Sequence, residues 1–192
     1  GAGQDTVSYR ESTAGVDVQL AYYTTPYAYL AHAQGGWAEG DFPEDWELWL
    51  RLLERGARLA CVPRVLYRWR DHDRRLTRTD ARYALDAQAA MKARFLARRH
   101  KRLAIAGAGR TGLQLMRLLR GHGVEIERLI DVSPKKIGRQ LEGVPVVGPD
   151  AVGRPAGVHL VAAAGAKGAR EEIRRHLGAL GWIEGDHFTC AA

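Results

Sequence analysis

The feature that most constrains this chain is a short, mostly apolar run, Arg102-Leu103-Ala104-Ile105-Ala106. It breaks into Gly107-Ala108-Gly109-Arg110-Thr111-Gly112 and then into a leucine-rich stretch. The run has the length and composition of a buried strand, and Leu113, Leu115, Met116, Leu118 and Leu119 supply the apolar face of a helix that Gly121 and Gly123 close. Ile126–Ile130 predicts the next strand, which ends on Asp131, about 20 residues past the glycines. Each glycine has a physical task in such a turn. The first permits the tight bend, the second lets a phosphate reach the backbone, and the third lets the helix pack on the strand.

This strand, glycine turn, helix, strand and acid follow the order of a Rossmann unit, a nucleotide-binding open parallel sheet. Gly107, Gly109, Arg110, Gly112 and Asp131 are therefore the candidate cofactor-binding residues, with NAD or another nucleotide as the ligand. Asp131 is placed to accept a hydrogen bond from a ribose diol. Val158–Ala163 supplies a further strand, Ala164-Gly165-Ala166-Lys167-Gly168 turns into a helix from Ala169 to Leu180, and Phe188–Cys190 forms the last strand. Two glycine-bearing turns at strand carboxyl ends are expected to face one crevice. Lys135, Lys136 and Arg139 read first as an exposed basic loop. The chain has no Tyr-x-x-x-Lys pair, so a hydride-transfer reading lacks its substrate chemistry. The continuation Asp131-Val132-Ser133-Pro134-Lys135-Lys136-Ile137-Gly138, with Gly143-Val144-Pro145-Val146-Val147-Gly148, resembles the Rossmann domains of polysaccharide-biosynthesis proteins.

The first half turns on Phe42-Pro43-Glu44-Asp45-Trp46-Glu47-Leu48-Trp49-Leu50-Arg51. Pro43 suits a helix start, since its missing N–H is one a helix leaves unpaired. Glu44 and Asp45 then occupy the first turn, where the helix dipole favours negative charge. Trp49, Leu52 and Leu53 predict the buried face, and Gly56 the stop. Upstream, Val16–Tyr23 predicts a strand, Gly35-Gly36-Trp37 with Gly40 a loop, and Tyr22, Tyr23, Tyr27 and Tyr29 read as packing before pocket lining. The helix therefore pins two acids at its exposed N-terminal mouth, where they could also do no more than cap it.

With Leu48, Arg51, Gly56, Val62-Pro63, Val65-Leu66-Tyr67-Arg68 and a closing His72, this stretch resembles the carboxyl-terminal, acceptor-side part of family 2 glycosyltransferases. The resemblance implies the GT-A fold and inverting sugar transfer from a nucleotide-diphosphate donor to a glycan or lipid-linked acceptor. It makes Asp45 the catalytic base, Glu44 its neighbour, and His72 a contact for a divalent metal, Mn or Mg, or for the diphosphate. Such a transfer needs a carboxylate to take the acceptor proton and positive charge to meet the leaving phosphate. Too few residues precede Glu44 to build the family's donor-binding half, and Asp71-His72-Asp73 lies on the wrong side of the helix to replace it.

The 192 residues carry 46% hydrophobic residues and a net charge of +7, enough for a real core and suited to an acidic partner such as a nucleotide. In an arginine-rich composition this charge does not specify nucleic acid. Cys61 and Cys190 have no metal-type spacing and read as buried thiols in a reducing compartment. The longest apolar run, Val158–Ala166, is too short to cross a bilayer. The expected location is cytoplasmic, with room for peripheral membrane contact and for an oligomer. The expected fold class is α/β throughout: a partial GT-A-like unit over 1–100, ending in a helix from Ala81 to Arg99, then a Rossmann-like open parallel sheet over 101–192. The leading function is a glycosyltransferase-related protein with an appended Rossmann domain. The alternatives are a NAD-dependent oxidoreductase or nucleotide-sugar-modifying enzyme, and a non-catalytic nucleotide-binding or assembly module.

Overall fold

The computed structural model describes residues 8–9, 18–19, 37–55 and 72–191. The chain divides into two units, Gly1–Gln88 and Ala89–Ala192. In the first, β1 (Ser8–Tyr9) pairs antiparallel with β2 (Val18–Gln19). Helix α1 (Glu44–Glu54), a one-turn helix α2 (Leu76–Thr79) and a 3₁₀ turn over Ala81–Tyr83 follow.

Helix α1 starts as the sequence predicts. Pro43 caps it at φ −61°, and Glu44, Asp45 and Glu47 fill the first turn. One turn further on, Arg51 pairs with Glu47 at 3.0 Å. The buried side chains are Leu48 and Leu52, which stand four residues apart on one face. Trp49, expected on that face, is turned about 100° from Leu48 and is half-buried. The described residues of this unit do not build the GT-A-like unit expected of them. They hold a two-residue strand pair and short helices, with no mixed sheet behind α1. Gly56, the strand-like stretch from Cys61 to Arg68 and the tyrosines at 22, 23, 27 and 29 lie outside the described residues.

The helix expected from Ala81 begins later. The Asp80 side chain does cap, but it accepts from Arg82 N at 2.9 Å and so closes the 3₁₀ turn. Ala84 is then extended at ψ 148°, and α3 runs over Leu85–Arg99. Its last turns belong to the second unit's core, where Ala93, Leu96 and Ala97 pack with Leu103 and Ile105.

The second unit is a six-stranded sheet in the order β5-β6-β4-β3-β7-β8. The strands are β3 (Arg102–Ala106), β4 (Glu125–Ile130), β5 (Gln140–Leu141), β6 (Val144–Val147), β7 (His159–Ala162) and β8 (Phe188–Cys190). All neighbours pair parallel except β5 with β6 at one edge. Helix α4 (Arg110–Gly121) links β3 to β4, and α5 (Ala169–Ala179) links β7 to β8. The sheet is covered on both faces, so its central strands are continuously apolar. Leu103, Ile105 and Val161 join one cluster with Leu115, Met116 and Leu119 of α4, while Ala104, Ala106 and Leu160 join the other with Leu177, Trp182 and Phe188. This is the Rossmann-like α/β fold expected of the second half. From β3 the chain first builds the sheet outward through β4 and β6, then returns to place β7 on the other side. The order therefore reverses between β3 and β7, the point at which open parallel sheets of this kind place a ligand crevice at their strand ends.

Among the described residues no helix is long and apolar enough to cross a membrane. Cys190 is half-buried, and burial, reinforced by the Glu184 carboxylate, pushes its thiol up to about 11. Cys61 lies outside the described residues.

Candidate functional site

The glycine turn sits at the carboxyl end of β3, at the reversal point. Gly107 has φ +117°, a conformation L side chains avoid, and a Cβ there would come within 2.9 Å of Ala164 N. Its own N–H donates to Ile130 O at 2.7 Å, which stitches the turn to the end of β4. Gly112 is needed for a different reason: a Cβ would lie 1.7 Å from Gly107 O, so α4 packs against the turn only without one. Gly109 is unlike both. It caps α4 in an extended conformation, φ −90° and ψ −173°, and a Cβ there would meet nothing within 4 Å. Protein packing does not require this glycine. What it leaves is open space over the first turn of α4, whose N–H groups receive no side-chain cap.

Asp131 closes the far side of the turn. Its Oδ2 accepts from Ala108 N and from Lys136 Nζ, each at 2.9 Å, and its Oδ1 accepts from Ser133 N at 2.9 Å. The Ser133 bond is an Asx turn, in which the carboxylate caps its own backbone two residues on. The side chain is 11% exposed. Burial opposes its ionisation, but the Lys136 ammonium, the Ser133 and Ala108 N–H groups and the nearby positive charge outweigh it, so the carboxyl titrates below the usual range. A carboxylate offers about four lone-pair sites, and three donors are already in place, leaving one on Oδ1. Beside it, Val132 is 76% exposed and Ile137 39% exposed, an apolar edge to the crevice. From the β7 side, Gly165 approaches so closely that a Cβ would lie 3.2 Å from Thr111 Oγ1. The second glycine-bearing turn therefore lies against the start of α4, beside the first. Arg110 and Lys167 stand exposed on its two lips.

The sequence missed the partners of Asp131. Lys136, assigned to a basic loop, is an ion-pair partner, and the signal was the Asp131-Val132-Ser133-Pro134 turn that folds it back. The Ala108 N–H is backbone and leaves no trace in residue types.

The candidate residues of the first unit stand in a different setting. Both Glu44 carboxylate oxygens accept the Tyr83 hydroxyl, at 2.8 and 2.9 Å, and Arg82 lies 3.9 Å away. Asp45 accepts its neighbour's N–H, Trp46 N, at 2.8 Å. Burial pushes the Asp45 carboxyl up, with the Glu44 charge adding to it and the Trp46 bond opposing. His72 is exposed in the loop before α2, and among the described residues no group of three His, Cys, Asp or Glu could hold a metal ion. The expectation of a Mn or Mg site at His72 is therefore not supported: among the described residues no second ligand stands with this exposed imidazole, and Asp71 beside it lies outside them. Tyr83 has no sequence signal, since it stands 39 residues from the carboxylate it serves.

The family model that matches this chain is the CoA binding domain, over residues 98–174. The match begins at the end of α3 and takes in the glycine turn, Asp131 and the β7 turn. A solved structure with similar shape is the crystal structure of RSP, a Rex-family repressor. It is 12% identical, covers 88% of this chain and 87% of that one, and superposes with a TM-score of 0.41, a likeness too remote to argue from. No curated protein matches. The glycosyltransferase reading is overturned by the family match, which falls on the second unit and is to a CoA binding domain, not to a glycosyltransferase. The link to polysaccharide biosynthesis falls with it. Glu44 and Asp45 thereby lose the sugar-transfer chemistry that the resemblance had lent them. The physical cause is plain in α1: two acids after a proline are what a helix start favours in any protein.

Proposed function

We propose that the second unit is a nucleotide-binding module for an adenosine-diphosphate-bearing ligand, with coenzyme A as the preferred one. The single observation that carries this is Gly109, a glycine no packing demands, which leaves the uncapped first turn of α4 open at the sheet's reversal point. Backbone N–H groups at such a helix end suit a diphosphate. Arg110 would add a cation at the lip, and Val132 and Ile137 an apolar edge for a base. The match of residues 98–174 to the CoA binding domain supports the same reading.

Asp131 favours coenzyme A over a dinucleotide. Its one remaining lone-pair site suits a ribose with a single free hydroxyl, whereas the diol of a dinucleotide offers two. The phosphate that occupies the other ribose position in coenzyme A would meet a carboxylate already neutralised by Lys136. The test is titration of the full chain with coenzyme A, its form lacking the ribose phosphate, NAD and ADP. The reading expects all four to bind and coenzyme A to bind tightest. Preference for NAD would reverse the assignment of the ribose contact.

A further inference from the structure

At the opposite end of the sheet, where β3 and β7 begin, a cavity of about 350 Å³ is lined by Arg99, His100, Lys101, Arg102, His159 and His187, with Asp186 as its one acid. We propose that this cavity is a second binding site, taking a small phosphate-bearing anion on His100, Lys101, Arg102 and His187.

The chemistry of the lining separates into a floor and a set of donors. His159 is the floor. It is 8% exposed, its Nε2 meets Thr189 Oγ1 at 2.9 Å, and its ring also hydrogen-bonds the Asp186 backbone. Both of its nitrogens are thus committed. His100 stacks on it, with ring centroids 4.1 Å apart and planes at 21°. Among the described residues neither the His100 ring nitrogens nor Lys101 Nζ has a hydrogen-bond partner. His187 accepts Ile183 N on Nδ1 at 3.0 Å, so its neutral ring carries the proton on Nε2 and remains a donor without being charged. Arg102 is held by Glu127 at 3.6 Å, half-exposed and shared with solvent.

Several donors from three short segments surround one space, which suits an anion with several oxygens better than a single carboxylate. The volume lies at the small end of ligand pockets, which run from roughly 300 to 1,000 Å³. Phosphate, diphosphate or a small phosphorylated metabolite fits that size. Burial, and then the Arg99 charge, hold His100 below its usual value. For His159 burial dominates, with His100, Arg99 and His187 adding to it. Lys101 and Arg102 bring positive charge to the lining and the His100 and His187 rings bring donors, set against Asp186 in the lining and Glu127 on Arg102. A bound anion would raise both imidazoles, so affinity must tighten as pH falls and His100 takes its proton.

The inference does not depend on what the glycine turn binds. Calorimetric titration of the full chain with inorganic phosphate and diphosphate, near pH 6 and near pH 8, tests it. The expected result is binding that tightens at the lower pH and that weakens about tenfold in Lys101→Met, an exposed position whose loss removes one charged contact. His100→Gln is expected to weaken binding and lose the pH dependence, while Gly109→Val leaves the phosphate-induced shifts of the His159 ring unchanged. Proton and carbon shifts of the His100 and His159 rings follow the same titration by NMR. Phosphate binding that is unaltered by Lys101→Met, or ring shifts that do not move, would overturn the proposal. So would His100 and His159 ring shifts that disappear in Gly109→Val, which would place the anion on the glycine turn.

Discussion

The Asp131 carboxylate accepts the Ala108 backbone N–H at 2.9 Å, so the acid that ends β4 holds the turn that ends β3. The same carboxylate holds Lys136 and Ser133. It is a clamp that holds the glycine turn and the loop after β4 together.

Asp131→Asn removes the charge and leaves the shape. With hydrogen bonds to a charged group contributing about 1.5–3 kcal/mol, the unit should lose stability of that order in urea unfolding at neutral pH. The sign with pH follows from a carboxyl that titrates below its ordinary 3.8. Its stabilisation is present above that value and is lost as pH falls through the lower folded value. The wild type should therefore lose stability on acidification below about pH 4, and Asp131→Asn should lose less.

Two glycines of the turn should respond oppositely to the same change. Gly112→Ala drives a Cβ to 1.7 Å from Gly107 O, a backbone atom that cannot step aside. It should cost at least the roughly 1–3 kcal/mol typical of overpacking, read as a lower unfolding midpoint. Gly109→Ala meets nothing within 4 Å and should leave the unfolding midpoint within about 0.5 kcal/mol of wild type. Equal losses in the two variants would contradict the packing described for α4.

His159 makes stability depend on pH in a second window. Burial holds its imidazole down to about 4 from an ordinary 6.5. The unfolded chain then binds a proton that the folded chain refuses, so this contribution is full above pH 6.5 and is lost as pH falls toward 4. His159→Phe, which keeps a ring against His100, should flatten the stability profile in that window. An NMR titration that placed His159 near its ordinary value would sink this account.

In the first unit, Tyr83→Phe removes the hydroxyl that both Glu44 oxygens accept. It should cost about 0.5–1.5 kcal/mol, the net worth of an ordinary hydrogen bond, since the part-exposed carboxylate can turn to water and to Arg82. Burial, and then the bond to Glu44, push the Tyr83 phenol well above its ordinary range. Phenolate formation by this one tyrosine should therefore lag the others in an alkaline ultraviolet titration, and Glu44→Gln should bring it closer to them.

What the sequence could reveal followed from locality. The turn, α4 and Asp131 lie within one contiguous stretch, and each glycine's task is fixed by a neighbour a few residues away, as Gly112 against Gly107 shows. The second glycine-bearing turn could be placed in the crevice because strand carboxyl ends share one edge of a parallel sheet. The first half failed for the converse reason. Glu44 takes its meaning from Tyr83, 39 residues on, and no spacing rule ties those positions. An acidic first turn on an amphipathic helix is common to helices of every function, so Glu44 and Asp45 supported a family likeness that the comparisons overturn. His100 and His159 were equally hidden, since their stacking depends on where β7 pairs with β3.

The most direct measurement is calorimetric titration of coenzyme A into the full chain and into its Gly109→Val variant, with unfolding curves for both. The account predicts that the variant folds with near wild-type stability and that binding is lost, because a Cβ at 109 meets no protein atom within 4 Å and a branched side chain there occupies the open space above the first turn of α4. Undiminished binding by the variant, or no binding of coenzyme A, ADP or NAD by the wild type, would contradict the claim that this turn is a nucleotide site.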